Sequence, residues 1–324
     1  MEVKPGYKQT EIGVIPEDWD FIQLKNCIDL KNGYAFESAY FSDRGEVLLT
    51  PGNFSRTGGL QFDSTNTKRY NGKFPKDSVL SYGDLLLVMT DLTPDCKLLG
   101  KPAIVETKEP LLHNQRIAKV VNNQRKAING FLFYVFLSDH YLRYLKDRAT
   151  GSTVRHTSLR IISSFRNALP PIKEQIAISK TLSDIDSLIT SLEKLIEKKK
   201  LIKQGVMQEL LTGKRRLPGF SGKWETKRLG DIADVYSGGT PSTSMQQYWS
   251  GGIPWFTPTE IGSMKYVSAS DRAISELGLT NSSAKLLPEG AIILTTRASI
   301  GDVSIMKCRG CTNQGCQSLV TTTG

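Results

Sequence analysis

Residues 169–220 read LPPIKEQIAISKTLSDIDSLITSLEKLIEKKKLIKQGVMQELLTGKRRLPGF, the only long, uninterrupted periodic segment of the chain. Apolar side chains recur there at alternating spacings of four and three residues, the a/d pattern of a coiled-coil helix. Pro170 and Pro171 suit a helix start, where no backbone hydrogen bond is lost, and Gly213 suits a left-handed stop. The pattern predicts a helix from Lys173 to Leu210, about 57 Å long. Its seam consists of Ile178, Leu182, Ile185, Ile189, Leu192 and Ile196.

The predicted helix combines this apolar seam with a basic C-terminal half. An apolar stripe is not stable in water, so we expect a partner helix to cover it; an ordinary coiled coil or a long core helix also fits the periodicity. Between residues 173 and 216 there are ten Lys or Arg and six Asp or Glu, with the positive excess from Lys198 to Arg216. The helix dipole favours cations there, but it accounts for only part of this excess.

Composition indicates a protein with an anionic partner. The 324 residues carry a formal net charge of +10, for which nucleic acid is the commonest partner and an anionic membrane surface the second. The length suggests two domains. The sequence contains neither a run of about 18 apolar residues nor a signal peptide, so we expect no membrane association. Five cysteines fit the reducing cytoplasm better than a disulfide framework.

The sequence repeats itself on either side of the helix. Trp19 and Leu24 recur 205 residues later, the pair Thr50-Pro51 recurs after 207, Gly83 with its apolar run after 207, Gly100 after 201, and the pair Asn114-Gln115 after 199. Small drifts in offset are what loop insertions and deletions produce. We therefore predict an α+β protein in which two similar mixed α/β domains are joined by a long coiled-coil-type helix. The second domain is expected to be incomplete, since it lacks an equivalent of residues 126–216, and a helical region is expected at 127–149.

The helix and the restart after it resemble a known family. LPPIKEQ leading into the helix, followed by LLTGKRRLPGFSGKWETKRLGDIADVYSGGTP, resembles the specificity (S) subunits of type I restriction-modification systems, and the resemblance covers essentially the whole chain. It implies a first target-recognition domain at residues 1–168, a spacer helix at 169–216 and a second, C-terminally truncated recognition domain at 217–324. In that family each domain reads one half of a bipartite double-stranded DNA target. Two long antiparallel helices fix the half-site spacing.

The resemblance also implies partners. Two methyltransferase (M) subunits dock on the helices of such proteins, and nuclease-translocase (R) subunits join the assembly, which together form a DNA adenine methyltransferase and ATP-dependent endonuclease. This sequence departs from the family pattern because the second long helix is missing. Either the chain is a truncated form, or it forms a self-dimer in which two copies pair through the central helix.

Catalytic and cofactor motifs are weak or missing in the sequence. Leu169-Pro170-Pro171-Ile172 differs from the amino-methyltransferase motif in lacking the amine acceptor and the stacking aromatic, and it is explained as a helix start. No GxxxxGK[ST] loop is present to hold a triphosphate. The cysteines at 308, 311 and 316 have no fourth ligand. We therefore expect no catalytic residue, no metal and no cofactor.

Candidate DNA contacts fall into two classes. Phosphate neutralisation needs Lys and Arg, and base reading needs side chains that reach the groove edges. For any single position, a solvated surface residue or a buried hydrogen-bonding turn is an equally simple interpretation. The repeated Asn-Gln pair, in particular, is open to a structural role in both copies. The phosphate candidates are Arg148, Arg155, Arg160, Lys198, Lys199, Lys200, Lys214, Arg215 and Arg216. The base-reading candidates are His113, Asn114, Gln115, Arg116, Arg155, His156, Arg297, Asn313 and Gln314, with the loop Ser237-Gly238-Gly239-Thr240.

The sequence thus predicts a non-catalytic DNA specificity subunit. Two other classes compete with this interpretation: a DNA methyltransferase or nuclease that acts on its own, and a structural coiled-coil scaffold. The missing catalytic motifs count against the first, and the duplicated globular domains count against the second.

Overall fold

The structure is a computed structural model that describes residues 3–93, 95–122 and 126–322. The chain divides into unit 1 (Met1–Gln204) and unit 2 (Gly205–Gly324). Unit 1 contains strands β1 (Tyr7–Thr10), β2 (Gly13–Pro16), β3 (Asp20–Gln23), β4 (Asp29–Asn32), β5 (Phe41–Ser42), β6 (Glu46–Leu49), β7 (Lys68–Tyr70), β8 (Val79–Leu80), β9 (Leu85–Val88), β10 (Thr90–Asp91), β11 (Pro102–Ile104), β12 (Leu111–His113), β13 (Ile117–Val121), β14 (Arg155–His156) and β15 (Arg166–Leu169). It also contains helices α1 (Asn129–Leu137), α2 (Asp139–Arg148) and α3 (Leu159–Ser164), and α4 (Ile172–Leu211) begins in it.

Unit 2 is built mainly of strands. Its strands are β16 (Ala233–Ser237), β17 (Trp249–Phe256), β18 (Tyr266–Val267), β19 (Ala273–Ile274), β20 (Ile292–Thr295), β21 (Val303–Met306), β22 (Cys311–Thr312) and β23 (Cys316–Thr321), with one short helix, α5 (Glu276–Thr280). Phe256, Ile293 and Met306 lie in one of its two apolar cores, and Trp255 with Ile274 in the other.

The central strand of unit 1, β9, is buried on both faces, as its continuous apolar sequence requires. Leu85 and Leu87 point into a core shared with α1, α2 and α3, whereas Leu86 and Val88 point into a second core formed with β6 and β12. Because successive side chains of a strand alternate between faces, one strand supplies both cores. The unit is therefore organised as layers on either side of β9.

The two units share one strand topology. The sheet of unit 1 has the order β11-β9-β13-β4, and that of unit 2 contains the same order as β21-β20-β23-β16, with β18 added beyond β21. In each unit a further pair runs parallel, β6 with β12 and β17 with β22. The strand before each repeated Thr-Pro ends in a 3-10 turn with a capping box, formed by Thr50 with Asn53 and by Thr257 with Glu260. The predicted internal repeat and the α+β class are confirmed.

The helical region expected at 127–149 consists of two helices. The chain leaves the helix at Ser138, and the Ser138 side chain accepts a hydrogen bond of 3.3 Å from the Tyr141 N–H. Ser138 is therefore the N-cap of α2, a position that serine favours because its hydroxyl replaces a missing backbone acceptor.

Helix α4 has 40 residues and is about 60 Å long, extending one residue beyond the predicted range at each end. The Pro171 carbonyl accepts hydrogen bonds from the N–H groups of Glu174 (2.9 Å) and Gln175 (3.0 Å). At the other end Gly213 has a φ of +71°, and a Cβ at this position would lie 2.8 Å from the indole ring of Trp224. Glycine at this position therefore allows the left-handed backbone that ends the helix, and it leaves room for the Trp224 ring to pack against the chain.

The first turn of α4 is fixed to unit 1 by a buried amide. Gln175 is fully buried; its Oε1 accepts from the Ile128 N–H at 3.0 Å. Its Nε2 donates to the carbonyls of Lys126 (2.9 Å) and Pro170 (2.8 Å). Beside it, Glu174 Oε2 accepts from Trp19 Nε1 at 2.9 Å. These contacts explain the glutamate and glutamine of the LPPIKEQ segment.

The seam of α4 is packed only at its beginning. Ile178 packs against the core of unit 1, and Leu182 is half-buried. The side chains that follow are exposed, in a row made up of Ile185, Leu188, Ile189, Leu192, Leu195 and Ile196. Coverage of this row by a partner helix stays a prediction.

Candidate nucleic-acid interface

In unit 1, a tight turn between β12 and β13 presents two polar side chains to solvent. The Asn114 side chain accepts a hydrogen bond of 2.9 Å from the Arg116 N–H. Tyr34 flanks the turn, since its N–H donates to the His113 carbonyl (2.8 Å) and its carbonyl accepts from the Gln115 N–H (3.0 Å). Gln115 and Arg116 are exposed, so this turn offers an amide and a guanidinium to a ligand.

Unit 2 contains the same turn between β22 and β23. The Asn313 side chain accepts from the Gly315 N–H at 2.8 Å, and the Gly239 N–H donates to the Thr312 carbonyl at 2.8 Å. Gln314 is exposed and accepts a hydrogen bond from the Thr240 hydroxyl. The two asparagines therefore have the same structural role, and the glutamines that follow them occupy equivalent positions.

A glycine allows the close backbone approach in each unit. A Cβ on Gly33 would lie 2.3 Å from the carbonyl oxygens of His113 and Asn114, and one on Gly238 would lie 1.9 Å from the Asn313 carbonyl oxygen. Any other residue would collide with backbone, which cannot move aside as a side chain can. Both glycines are thus required for the turns.

In each unit, the connection that follows the central strand (β9 or β20) lies beside the turn. The Met89 N–H donates to the Arg116 carbonyl at 2.9 Å, and the Thr296 N–H donates to the Gly315 carbonyl at 2.8 Å. In unit 1 this places β10 next to the turn, and β10 pairs with β14, so that Thr90 lies opposite His156. In unit 2 the same connection carries Arg297, which is exposed. We call the turn and this connection together the strand-end surface of each unit.

His113 and Asn114 do not face solvent, contrary to the expectation that they read bases. His113 ends a strand that pairs on both sides, with β6 and with β8, and its Nε2 lies 2.9 Å from the Ile117 carbonyl oxygen. Burial lowers the pKa of His113, although the hydrogen bond with Ile117 opposes this shift. Asn114 is buried as well. Neither side chain is free to reach a DNA groove.

The other base-reading candidates differ in exposure. The Arg155 guanidinium is half-buried and donates to the carbonyls of Gly151 (2.9 Å) and Lys146 (3.4 Å). His156 is exposed, with Nδ1 3.1 Å from the Thr90 hydroxyl. The structure brings His156 to the strand-end surface of unit 1, and Gly239, Thr240, Arg297, Asn313 and Gln314 to that of unit 2.

The phosphate candidates other than Arg155 lie elsewhere on the surface. Arg160 is exposed in the first turn of α3, and Arg148 stacks on Tyr144, with 4.1 Å from the guanidinium carbon to the ring centroid. Arg215 pairs with Glu209 at 3.2 Å, and Arg216 lies 5.7 Å from the Trp224 ring centroid. Lys198, Lys199, Lys200 and Lys214 are exposed.

The cysteines of unit 2 are separated by the fold. Cys311 lies in the core with Trp255, and Cys316 in the core with Phe256. Burial raises the pKa of each thiol to about 11, which disfavours the thiolate that a metal needs. Within residues 3–93, 95–122 and 126–322, no group of His, Cys, Asp and Glu is arranged to hold a metal ion. In the same ranges, no helix has both the length and the apolarity to cross a lipid bilayer.

Tyr34 is a residue of this surface that the sequence did not single out. It is exposed and is hydrogen-bonded to the turn, although 80 residues separate it from Asn114. The signal that identifies its position is Gly33, which stands 205 residues before Gly238, the offset already shown by Trp19 and Leu24.

The family model described as "Type I restriction modification DNA specificity domain" matches residues 16–204 and 221–323. The chain belongs to this family. The MjaVIII specificity subunit of Methanocaldococcus jannaschii, a type I restriction enzyme subunit, is 29% identical over 219 residues, which are 67% of this chain and 51% of that protein. The putative MjaX specificity subunit of the same organism is 26% identical over 331 residues, covering 96% of this chain and 74% of that one. The chain thus spans about half the length of the MjaVIII subunit that it matches.

Solved structures support the same fold. The S subunit of a type I restriction-modification system from M. genitalium superposes with a TM-score of 0.56 at 14% identity, covering 100% of this chain and 75% of that one. A chain from a study of the assembly and conformational transition of a type I restriction-modification system superposes with a TM-score of 0.56 at 17% identity. The match covers 95% of this chain and 77% of that one. At these identities the likeness concerns the fold alone. The resemblance of this chain to specificity subunits, inferred from its helix and repeat, is confirmed by the family match.

Proposed function

We propose that this chain is the sequence-specific DNA recognition subunit of a type I restriction-modification complex and has no catalytic activity of its own. In this proposal each unit reads one half of a bipartite target in double-stranded DNA, and the central helix sets the spacing of the half-sites. The observation that carries the proposal is the repeated strand-end surface. Two copies of one turn each present an exposed glutamine, and an exposed arginine lies in the turn of unit 1 (Arg116) and in the adjoining connection of unit 2 (Arg297).

The chemistry of this surface suits DNA. The amide of Gln115 or Gln314 offers a donor and an acceptor, which is the pair needed to bond adenine in the major groove. Arg116 and Arg297 supply the guanidinium that prefers guanine or phosphate. His113 and Asn114 hold the first turn in place from beneath, as Asn313 holds the second. With a net charge of +10, the chain is also attracted to DNA regardless of sequence.

Basic residues outside the strand-end surfaces are proposed to contact phosphate. Lys198–Lys200 and Lys214–Arg216 form two exposed clusters in and after the second half of α4, and Arg148 and Arg160 are exposed in unit 1. Contacts of this kind position a protein on DNA without reading its sequence. Their loss is therefore expected to weaken binding to all sequences alike.

The exposed apolar row of α4 is proposed to bind the catalytic partners. We infer that two methyltransferase subunits dock on it, that nuclease-translocase subunits join through the complex, and that the assembly acts in the cytoplasm. A second copy of this chain is the other occupant that the row fits, because two such helices would bury each other's seams.

The experiment is to co-express the chain with the methyltransferase subunit encoded beside it and to map methylated adenines on random-sequence DNA. We expect a split motif. Two different halves would mean that both units read DNA, whereas a palindromic motif would mean that two chains pair through α4 and that unit 1 alone reads. Binding that shows no dependence on sequence in the presence of the methyltransferase would refute the proposal.

Single substitutions then assign each half of the motif. Gln115→Ala is expected to relax the sequence requirement in one half and Gln314→Ala in the other, each by about 1–3 kcal/mol of discrimination. Gln9→Ala is the matched control, because Gln9 is exposed on β1 and its side chain bonds to the adjacent Thr10 carbonyl. Relaxation of the same half by both substitutions would contradict the assignment of one half-site to each unit.

A further inference from the structure

The two strand-end surfaces each expose one aliphatic side chain on the same connection. Leu92 follows β10 in the connection from β9 to β11 and is 67% exposed; Ile300 lies in the connection from β20 to β21 and is 81% exposed. Single exposed aliphatic residues are common on protein surfaces. Two of them on equivalent connections of a repeated fold, beside equivalent turns, call for a shared explanation.

The backbone that carries Leu92 is held firmly. The preceding residue, Asp91, is buried, and its Oδ1 accepts from the N–H and the hydroxyl of Thr93, both at 2.8 Å. Its Oδ2 accepts from the N–H groups of Leu98 (2.5 Å) and Leu99 (3.1 Å). Four hydrogen bonds to one buried carboxylate fix both ends of the loop, so Leu92 is presented to solvent from a defined position.

The backbone around Ile300 is fixed by a different residue. The Thr295 hydroxyl donates to the Ser299 carbonyl and accepts from the Asp302 N–H at 3.0 Å. The Gly301 N–H donates to the Thr295 carbonyl at 3.0 Å. Ile300 therefore sits between two anchored residues, and its exposure is not that of a loose loop tip.

The two loops are also where the repeat changes length. The offset between equivalent residues is 207 at Gly83 and Gly290 and 201 at Gly100 and Gly301. Unit 1 thus has six more residues than unit 2 between these glycines, and the strands on either side keep the same pairing. A shared framework with unlike loops is what two different half-sites require.

The surroundings of both side chains favour DNA as the ligand. Arg297 lies in the same connection as Ile300, and in unit 1 the strand before Leu92 pairs with the strand of Arg155 and His156. Cationic and amide groups around one aliphatic side chain fit the major groove, where phosphates flank base edges and the 5-methyl group of thymine is the apolar feature. A protein partner would be expected to bury a larger apolar patch.

We propose that Leu92 and Ile300 are apolar base contacts, each packing on the 5-methyl group of thymine in the half-site of its own unit. The proposal rests on the DNA-recognition function proposed above. In it, Asp91 and Thr295 are positioning residues, which act by holding the aliphatic side chain at the groove rather than by contacting DNA.

The test compares variants in complex with the methyltransferase subunit, on the DNA target mapped for the wild-type complex. Leu92→Ser and Ile300→Ser are each expected to weaken binding about 10-fold, whereas Leu92→Met is expected to retain it. Replacement of thymine by deoxyuridine in one half-site should weaken DNA binding by the wild-type complex roughly 4-fold per methyl group. The same replacement should not further weaken binding by the serine variant of the matching unit.

The controls are side chains at the opposite ends of neighbouring strands. Tyr82 is 69% exposed and precedes β9, whereas Leu92 lies beyond the other end of that strand. Leu286 is exposed. Its neighbour Leu287 forms a bridge with Gly310, which precedes β22, and the far end of β22 leads into the Asn313 turn. Tyr82→Ser and Leu286→Ser should leave binding unchanged. Circular dichroism and thermal unfolding check that all variants fold.

Three results would overturn the inference. The first is wild-type affinity in both serine variants, and the second is a half-site that contains no thymine. The third is loss of the methyltransferase subunit from the serine variants, which would mark a protein contact. If the wild-type complex itself bound DNA without sequence preference, the proposed function would fail instead, and the two failures are thus distinguishable.

Discussion

Gln175 in the first turn of α4 is joined to Ile128 at the start of α1 by a hydrogen bond of 3.0 Å from the Ile128 N–H to Gln175 Oε1. With the two bonds that its Nε2 donates, this buried amide has a partner for both of its polar atoms. The glutamine of the LPPIKEQ segment therefore fixes the first turn of the long helix to unit 1.

Substitution of this residue should destabilise unit 1. Gln175→Ala would leave the Ile128 N–H and two carbonyls without a partner in the protein interior, and we expect a loss of roughly 2–4 kcal/mol in the free energy of unfolding. Gln204→Ala, at an exposed position of the same helix, should change it by less than about 0.5 kcal/mol. Urea denaturation followed by circular dichroism measures both, and equal effects would contradict the role assigned to Gln175.

The two turn glycines should be intolerant of a side chain. Gly238→Ala would place a Cβ 1.9 Å from the Asn313 carbonyl oxygen and Gly33→Ala one 2.3 Å from the Asn114 carbonyl oxygen, so each strand end must open. We expect a lower thermal midpoint and weaker reading of the corresponding half-site only. Gly252→Ala is the control, since a Cβ there meets nothing within 4 Å. A variant at Gly238 that reads both half-sites normally would show that the turn is not the reading element.

His113 should make stability depend on pH. Burial lowers the pKa of its imidazole in the folded protein, so the unfolded chain binds more protons once the pH falls below the ordinary histidine pKa of about 6.5. The free energy of unfolding should therefore decrease as the pH is lowered from about 7.5 to about 5.5. His113→Gln can still donate to the Ile117 carbonyl but does not titrate. The free energy of unfolding of this variant should therefore decrease less over the same pH range. Parallel denaturation curves for the variant and the wild type across that range would exclude the effect.

The apolar row of α4 should govern assembly rather than folding. Ile189 and Leu192 are exposed in the single chain, so changing both to Asp should leave the thermal midpoint nearly unchanged. If a partner covers the row, the double variant should bind its methyltransferase subunit at least ~100-fold more weakly, because burial of each side chain is worth about 1.5–3 kcal/mol.

The matched control for that experiment is Ser187→Asp combined with Thr190→Asp, which adds the same two charges at exposed positions on the opposite face of the helix. Co-purification measures binding of the methyltransferase subunit, and sedimentation of the chain alone measures self-association. If the double variant keeps both its binding to the methyltransferase subunit and its self-association, the row is not an interface.

The helix and the repeat could be predicted because each leaves a signal in the sequence itself. Periodicity with prolines before it and glycine after it placed α4 within one residue of its observed ends. Similar offsets between like residues, from 199 to 207, revealed two copies of one fold. Local signals of this kind do not depend on which strands pair.

The candidate contacts were less predictable because burial depends on distant pairing. Among the four consecutive residues from His113 to Arg116, the first two are buried and the last two are exposed. That division follows from the pairing of β12 with β6, a strand more than 60 residues earlier, and from the approach of Tyr34. Arg155 likewise looked available, but its guanidinium is bonded to the carbonyls of Gly151 and Lys146. No spacing in the sequence encodes these contacts.

The shared strand order of the two units has a consequence for how such genes change. The largest length difference, six residues, falls within the connection from β9 to β11 and its counterpart from β20 to β21. Exchange of the coding segment for this connection would therefore keep the pairing of the sheet strands on either side. If each unit reads its own half-site, as proposed, recombination between these two coding segments would change the half-site of one unit and leave its strand framework unaltered.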